Sequence, residues 1–174
     1  GQHRNRWAWA IWLTLITHPI LDCFTVYGTQ VLWPFTEYPV TWSTVFIIDP
    51  MYTVWLAMGV LCALVMSRNR DIGHRLSGIG LALSCAYLLF TVGAKIYIDS
   101  IAESALKQQR IAHTQIMTTP APFNTVVWRI VAVDDDGYYE GFYSLMDRTD
   151  HVRFTRYPSR PELATELQDS WAVQ

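Results

Sequence analysis

Charge is scarce in this sequence. Asp, Glu, Lys and Arg make up 16% of its 174 residues, against roughly 25% in an ordinary soluble domain. Net charge is −2, so no excess of one sign argues for nucleic acid as a partner. Cysteine is also sparse. Cys23, Cys62 and Cys85 lie in or beside apolar runs and form no CxxC pair, which favours three small packing residues over a disulfide or a zinc knot. GxSxG, P-loop and dinucleotide fingerprints are missing. So are an initiator Met and a short signal-peptide core, and the chain reads as a piece of a longer protein. From Pro50 to Met66 no charge interrupts the sequence, and the loop from Val26 to Thr44 holds no Lys or Arg.

What remains is apolar and aromatic. Mean hydropathy is +0.15, and the eight Trp suit a chain that meets membrane interfaces. Three apolar runs predict transmembrane helices at about 7–24, 45–66 and 76–98. Pro19 is tolerable inside the first and kinks or ends it. Gly78, Gly80, Ser84 and Ala86 in the third are small enough for close helix approach. Arg4 and Arg6 precede the first run, and Arg68, Arg70 and Arg75 separate the second from the third. The positive-inside rule then puts those ends in the cytoplasm, and the Val26–Thr44 loop and everything after Ile98 outside. The Val26–Thr44 segment, rich in aromatics, reads as an interfacial loop or a re-entrant one.

Beyond the runs the pattern changes. Residues 99–118 read as a helical connector, with Thr119-Pro120-Ala121-Pro122 as a linker. Residues 119–174 read as a small soluble α+β tail. In it, Asn124–Val133 and Tyr138–Met146 flank the turn signal Asp134-Asp135-Asp136-Gly137 and predict a β-hairpin. Val152–Tyr157 adds a strand and Pro161–Trp171 a short helix. The expected fold is mainly α: about three transmembrane helices followed by a small extracytoplasmic α+β domain.

Two side chains stand out at the end of the first run. His18 and Asp22 are four residues apart, which on a helix puts them on one face. A carboxylate at the edge of a lipid-facing segment is costly without a partner. Asp49, at the start of the second run, falls at the same membrane depth. An imidazole and two carboxylates could hold Zn²⁺, Mn²⁺ or Fe²⁺ and bring bound water toward a pKa of about 7. His18 and Asp22 are the catalytic candidates, and His18, Asp22 and Asp49 the metal candidates. A plainer role stands beside this. A His near a helix end is commonly a hydrogen-bonded structural residue, and Asp49-Pro50 has the form of a helix N-cap followed by a first-position proline. Lys95 reads as a snorkelling side chain. The Asp134–Asp136 run lacks calcium-loop spacing and reads as a solvated turn. His74 and His113 have no nearby partner set in sequence.

The stretches His18-Pro19-Ile20-Leu21-Asp22, Thr25-Val26-Tyr27-Gly28-Thr29, Leu32-Trp33-Pro34-Phe35 and Ile48-Asp49-Pro50-Met51-Tyr52-Thr53 resemble a bacterial inner-membrane family. Its members are assigned as metal-dependent hydrolases and described as LexA-binding and inner-membrane-associated. Pro122-Phe123-Asn124, Trp128-Arg129 and Tyr139-Glu140-Gly141 resemble the tail of its longer members. The resemblance implies a multi-pass inner-membrane protein with a periplasmic tail and a divalent metal ion. It also implies LexA as a partner. The expected position of the site at headgroup level, rather than the resemblance, points to metal-activated water attacking an ester or phosphoester, with a lipid-linked substrate in reach. His18 and Asp22 match the family's HPxLD element and Asp49 its DP element. The family's upstream Pro-Asp-x-Asp and His-Arg-Gly-x-(Ser/Thr)-His-Ser elements are not in this sequence. The alternative is a non-enzymatic membrane anchor or interaction protein presenting the tail.

Overall fold

The computed structural model describes residues 2–66 and 70–159. The expected helix at Pro161–Trp171, and Arg68 in the turn before the third run, lie outside the described residues.

Helix α1 spans Gln2–Asp22 and contains Pro19. Its side chains are exposed from His3 to His18, so among the described residues none covers the apolar surface of this helix. It ends three residues past Pro19, where the Thr25 hydroxyl donates to the Asp22 carbonyl at 2.8 Å. The following loop returns to its own root. Thr29 and Val40 form an antiparallel bridge, and Gly28 enters it at φ +74°, a conformation that favours glycine.

Helix α2 spans Pro50–Val65. It begins at Pro50 because Asp49 caps it: its Oδ1 accepts from the Met51 N–H at 2.9 Å and the Tyr52 N–H at 3.3 Å. Helix α3 spans Arg70–Gln108, 39 residues without a break, a rod of roughly 58 Å at 1.5 Å per residue. The two helices pack through glycine. A Cβ on Gly80 would sit 2.6 Å from the Trp55 carbonyl oxygen and 3.1 Å from the Gly59 Cα. Ser84, buried, donates to the Tyr52 carbonyl at 3.2 Å. Gly78 faces open space and Ala86 is exposed, so two of the four small residues form this contact.

Four strands follow: β1 Gln115–Pro120, β2 Val127–Asp134, β3 Gly137–Ser144 and β4 Phe154–Pro158. They pair antiparallel in chain order. Asp134 opposes Gly137, with Asp135-Asp136 as the turn between β2 and β3. One face of the sheet packs on the C-terminal part of α3. Ala94, Ile98, Ile101, Ala102 and Ala105 meet Trp128, Ile130, Tyr143 and Val152 in a single buried cluster.

Three expectations change. First, the fold is not a three-span membrane domain of mainly α character. Less than half of the described residues are helical, and a four-stranded antiparallel sheet follows the helices. Second, among the described residues one helix, Asp71–Gln108, is long and apolar enough to cross a bilayer. The polar Gln2–Arg6 forms the first turns of α1 and dilutes it. The Asp49 cap starts the second helix at Pro50 rather than Val45, and 16 residues give about 24 Å against a hydrocarbon core of about 30 Å. The expected multi-pass topology goes with the missing spans. Third, residues 99–108 continue α3 without a boundary, and the expected linker lies partly inside β1.

Candidate functional site at the end of α1

The end of α1, the start of α2 and one turn of α3 enclose a cleft of about 210 Å³, bordered by His18, Asp22, Asp49, Tyr52, Thr53 and Leu88 among others. All three acidic or imidazole side chains singled out from sequence therefore face one cavity. They reach it in different states.

His18 and Asp22 are near neighbours. His18 Nε2 lies 3.7 Å from Asp22 Oδ2, and the two side chains are 77% and 47% exposed. The pair follows from the i,i+4 helical spacing. At that separation and exposure it is a loose contact that contributes little to stability. Among the described residues neither side chain has another partner.

Asp49 is engaged. It is 3% exposed. Oδ1 takes the two N–H groups of the α2 cap, while the Tyr87 hydroxyl lies 2.8 Å and the Thr125 hydroxyl 3.0 Å from Oδ2. An ionised carboxylate has about four acceptor positions. With both hydroxyl protons turned toward it, all of them are filled. Asp49 thus ties three elements together: the first turn of α2, the middle of α3 and the segment leading into β2. Tyr87 and Thr125 are 38 and 76 positions away in sequence, and no local pattern links them to Asp49. The one available signal was Tyr87 itself, an aromatic whose hydroxyl needs a partner inside an apolar helix.

The donor set decides what a metal could use. Among the described residues no group of three or more His, Cys, Asp and Glu side chains is arranged to hold a metal ion. His18 and Asp22 offer two ligands, and Asp49 faces the same cleft with its oxygens already occupied. A four-coordinate centre is not complete in these residues.

A second polar cluster was not anticipated. Lys95 Nζ contacts both Asp99 oxygens, at 2.7 and 2.9 Å, and the Thr118 hydroxyl at 2.5 Å. Thr118 also donates to Asp99. Lys95 therefore does not snorkel outward: its side chain is 19% exposed, and it pins α3 to β1. His113 holds the Ile111 carbonyl through Nδ1 at 3.1 Å, at the surface. Cys23, Cys62 and Cys85 are free thiols.

A family model for the YdjM inner membrane protein family matches residues 2–101. This chain belongs to that family. The match covers α1, the loop, α2 and nearly all of α3, so it includes the cleft. Membership puts this YdjM-family chain at the inner membrane. Searches of curated proteins and of solved structures returned no match.

Proposed function

We propose that this chain is a membrane anchor that carries a small β-sheet rigidly on its spanning helix. The observation that supports it is the double use of α3. Toward its N-terminal end α3 exposes Ile79, Leu81, Leu83, Leu89 and Phe90, while its C-terminal part is the buried half of the sheet's core. No linker separates the two. The Asp49–Tyr87–Thr125 contacts brace the junction from the α2 side. With Arg70 and Arg75 at its start, α3 enters from the cytoplasmic face under the positive-inside rule, and the sheet lies in the periplasm. A reporter fused after Gln174 then reads periplasmic, and a cytoplasmic signal reverses the orientation.

A second reading is a metal-dependent hydrolase acting on an ester or phosphoester near the lipid headgroups. One observation favours it: His18 and Asp22 line the cleft with unused donor atoms. They would supply two ligands, and the remaining donors would come from outside the described residues. A bound divalent ion would supply a water of lowered pKa. In this reading Asp49 fixes the shape of the cleft.

One measurement separates the two. Metal content is determined for the full-length protein purified from membranes, and for its His18→Ala, Asp22→Ala and Asp49→Asn variants. The anchor expects no stoichiometric divalent metal in any of them. A stoichiometric metal lost in His18→Ala and Asp22→Ala but kept in Asp49→Asn replaces the anchor with the hydrolase.

A further inference from the structure

The loop that follows α1 has an unusual division between backbone and side chains. At its tip the apolar groups point out: Val31, Leu32, Trp33 and Phe35 are all exposed, Phe35 to 93%, with Tyr27 and Tyr38 flanking them. Four backbone N–H groups of the tip are paired within the segment. Val31 N–H donates to the Thr29 carbonyl at 2.9 Å, Trp33 to Gln30 at 3.2 Å, Phe35 to Leu32 at 2.8 Å and Thr36 to Leu32 at 3.2 Å. Pro34 has no N–H to satisfy. The Gln30 side chain caps the Glu37 carbonyl at 3.0 Å, and the Tyr38 N–H donates to the Thr36 hydroxyl at 3.2 Å.

Water would satisfy these backbone groups anyway, and it would penalise the outward apolar surface. The boundary between acyl chains and headgroups meets both needs. There apolar side chains bury in the acyl region, while backbone groups left without a partner in the segment still reach headgroups and water. The loop therefore suits that boundary zone rather than the hydrocarbon centre, where every backbone group would need an internal partner. Its charge points the same way, since Glu37 is the sole charged residue between Val26 and Thr44 and stands outside the apolar tip. Its root is continuous with the membrane part of the molecule. Trp42 N–H donates to the Cys23 carbonyl at 2.7 Å, Trp42 packs edge-on against Phe24 with centroids 4.7 Å apart, and both rings line a groove with Val92 and Ile96 of α3.

We propose that the tip Val31–Phe35 inserts into the bilayer, in the leaflet next to the sheet, as a second membrane attachment beside α3. The aromatic rings of Tyr27 and Tyr38 then lie at headgroup level, where polar-tipped aromatics concentrate. The inference rests on the chain's membrane location and is independent of whether the His18 cleft binds metal.

The test uses the full chain in nanodiscs of phosphatidylethanolamine and phosphatidylglycerol. Cys62→Ala and Cys85→Ala leave Cys23, which is 4% exposed. An environment-sensitive fluorophore is placed at Phe35→Cys, at Leu32→Cys, or at Arg148→Cys in the exposed turn between β3 and β4 as the aqueous control. The expected result is blue-shifted emission at both tip positions, quenching by lipid-borne nitroxide, and a several-fold weaker response to aqueous iodide than at Arg148. Strong iodide quenching at the tip, with none by the lipid nitroxide, overturns the proposal. Shielding from both quenchers also overturns it and assigns the tip to a protein partner. The tip positions are exposed, so the substitutions leave the fold intact, and circular dichroism of each labelled variant verifies this.

Discussion

The Tyr87 hydroxyl of α3 stands 2.8 Å from the Asp49 carboxylate at the head of α2. It shares that oxygen with Thr125, whose hydroxyl is a further 2.8 Å from its own. A helix cap has thus become the meeting point of both membrane-side helices and the sheet. Asp49→Ala removes the cap, worth about 0.5–2 kcal/mol. It also leaves one of the two hydroxyls without an acceptor, since the other can still donate across the 2.8 Å between them, at about 1–3 kcal/mol when buried. Thermal unfolding in detergent should show a loss above 2 kcal/mol for Asp49→Ala and a smaller one, about 1 kcal/mol, for Tyr87→Phe. Equal, negligible effects would mean that this contact does not hold the junction.

Two glycines two residues apart on α3 should respond oppositely to the same change. A methyl at Gly80 collides with α2 backbone, whereas one at Gly78 meets nothing within 4 Å. Backbone cannot yield as a flexible side chain can. Gly80→Ala should cost about 1–3 kcal/mol as an overpacked contact. Gly78→Ala should be neutral or gain up to about 1 kcal/mol from helix propensity. The check is the pair of melting temperatures measured side by side.

Trp128 is the largest fully buried side chain among the described residues, and its indole N–H donates to the Thr125 carbonyl at 2.8 Å. Trp128→Ala should cost about 3–5 kcal/mol. Because Thr125 also lies against Asp49, the loss should spread to the α2 cap. Hydrogen exchange at Met51 and Tyr52 would reveal it. Unchanged protection there would show that sheet and helix pair unfold independently.

Tyr143 carries a pH prediction. Its hydroxyl lies 3.5 Å from that of Tyr97. That hydrogen bond first, and burial second, push its pKa well above the ordinary value of 10.0. The folded sheet therefore keeps a proton that the unfolded chain gives up. By linkage, stability from this group is complete below about pH 10 and falls as pH climbs from there through the raised folded value. Urea midpoints measured from neutral pH upward should decline above about pH 10, and more shallowly in Tyr143→Phe. Parallel curves would assign the alkaline loss to other groups.

Local patterns were legible in the sequence, and distant pairings were not. The β2–β3 hairpin could be read because Asp135-Asp136 and Gly137 are turn formers between alternating runs. The Asp49-Pro50 cap could be read because capping needs only neighbours. Span count could not. Hydropathy marks apolar residues, but Asp49 sets where α2 starts, and the polar opening of α1 is helical all the same. In sequence β1 falls across the connector and the linker, and its Pro120 argues against a strand. Pro120 is accommodated since β1 is an edge strand. At the cleft, the i,i+4 rule brought His18 to Asp22. Nothing local could show that Asp49 would spend its oxygens on Tyr87 and Thr125.

The unbroken run of α3 has a mechanical corollary. A spanning helix answers a change in bilayer thickness by tilting. In the proposed anchor the part above the surface is the same rod, with the sheet clamped to it by Lys95, Trp128 and their neighbours. Any tilt below therefore turns the sheet through the same angle, and the lever has no hinge along its length to absorb the turn.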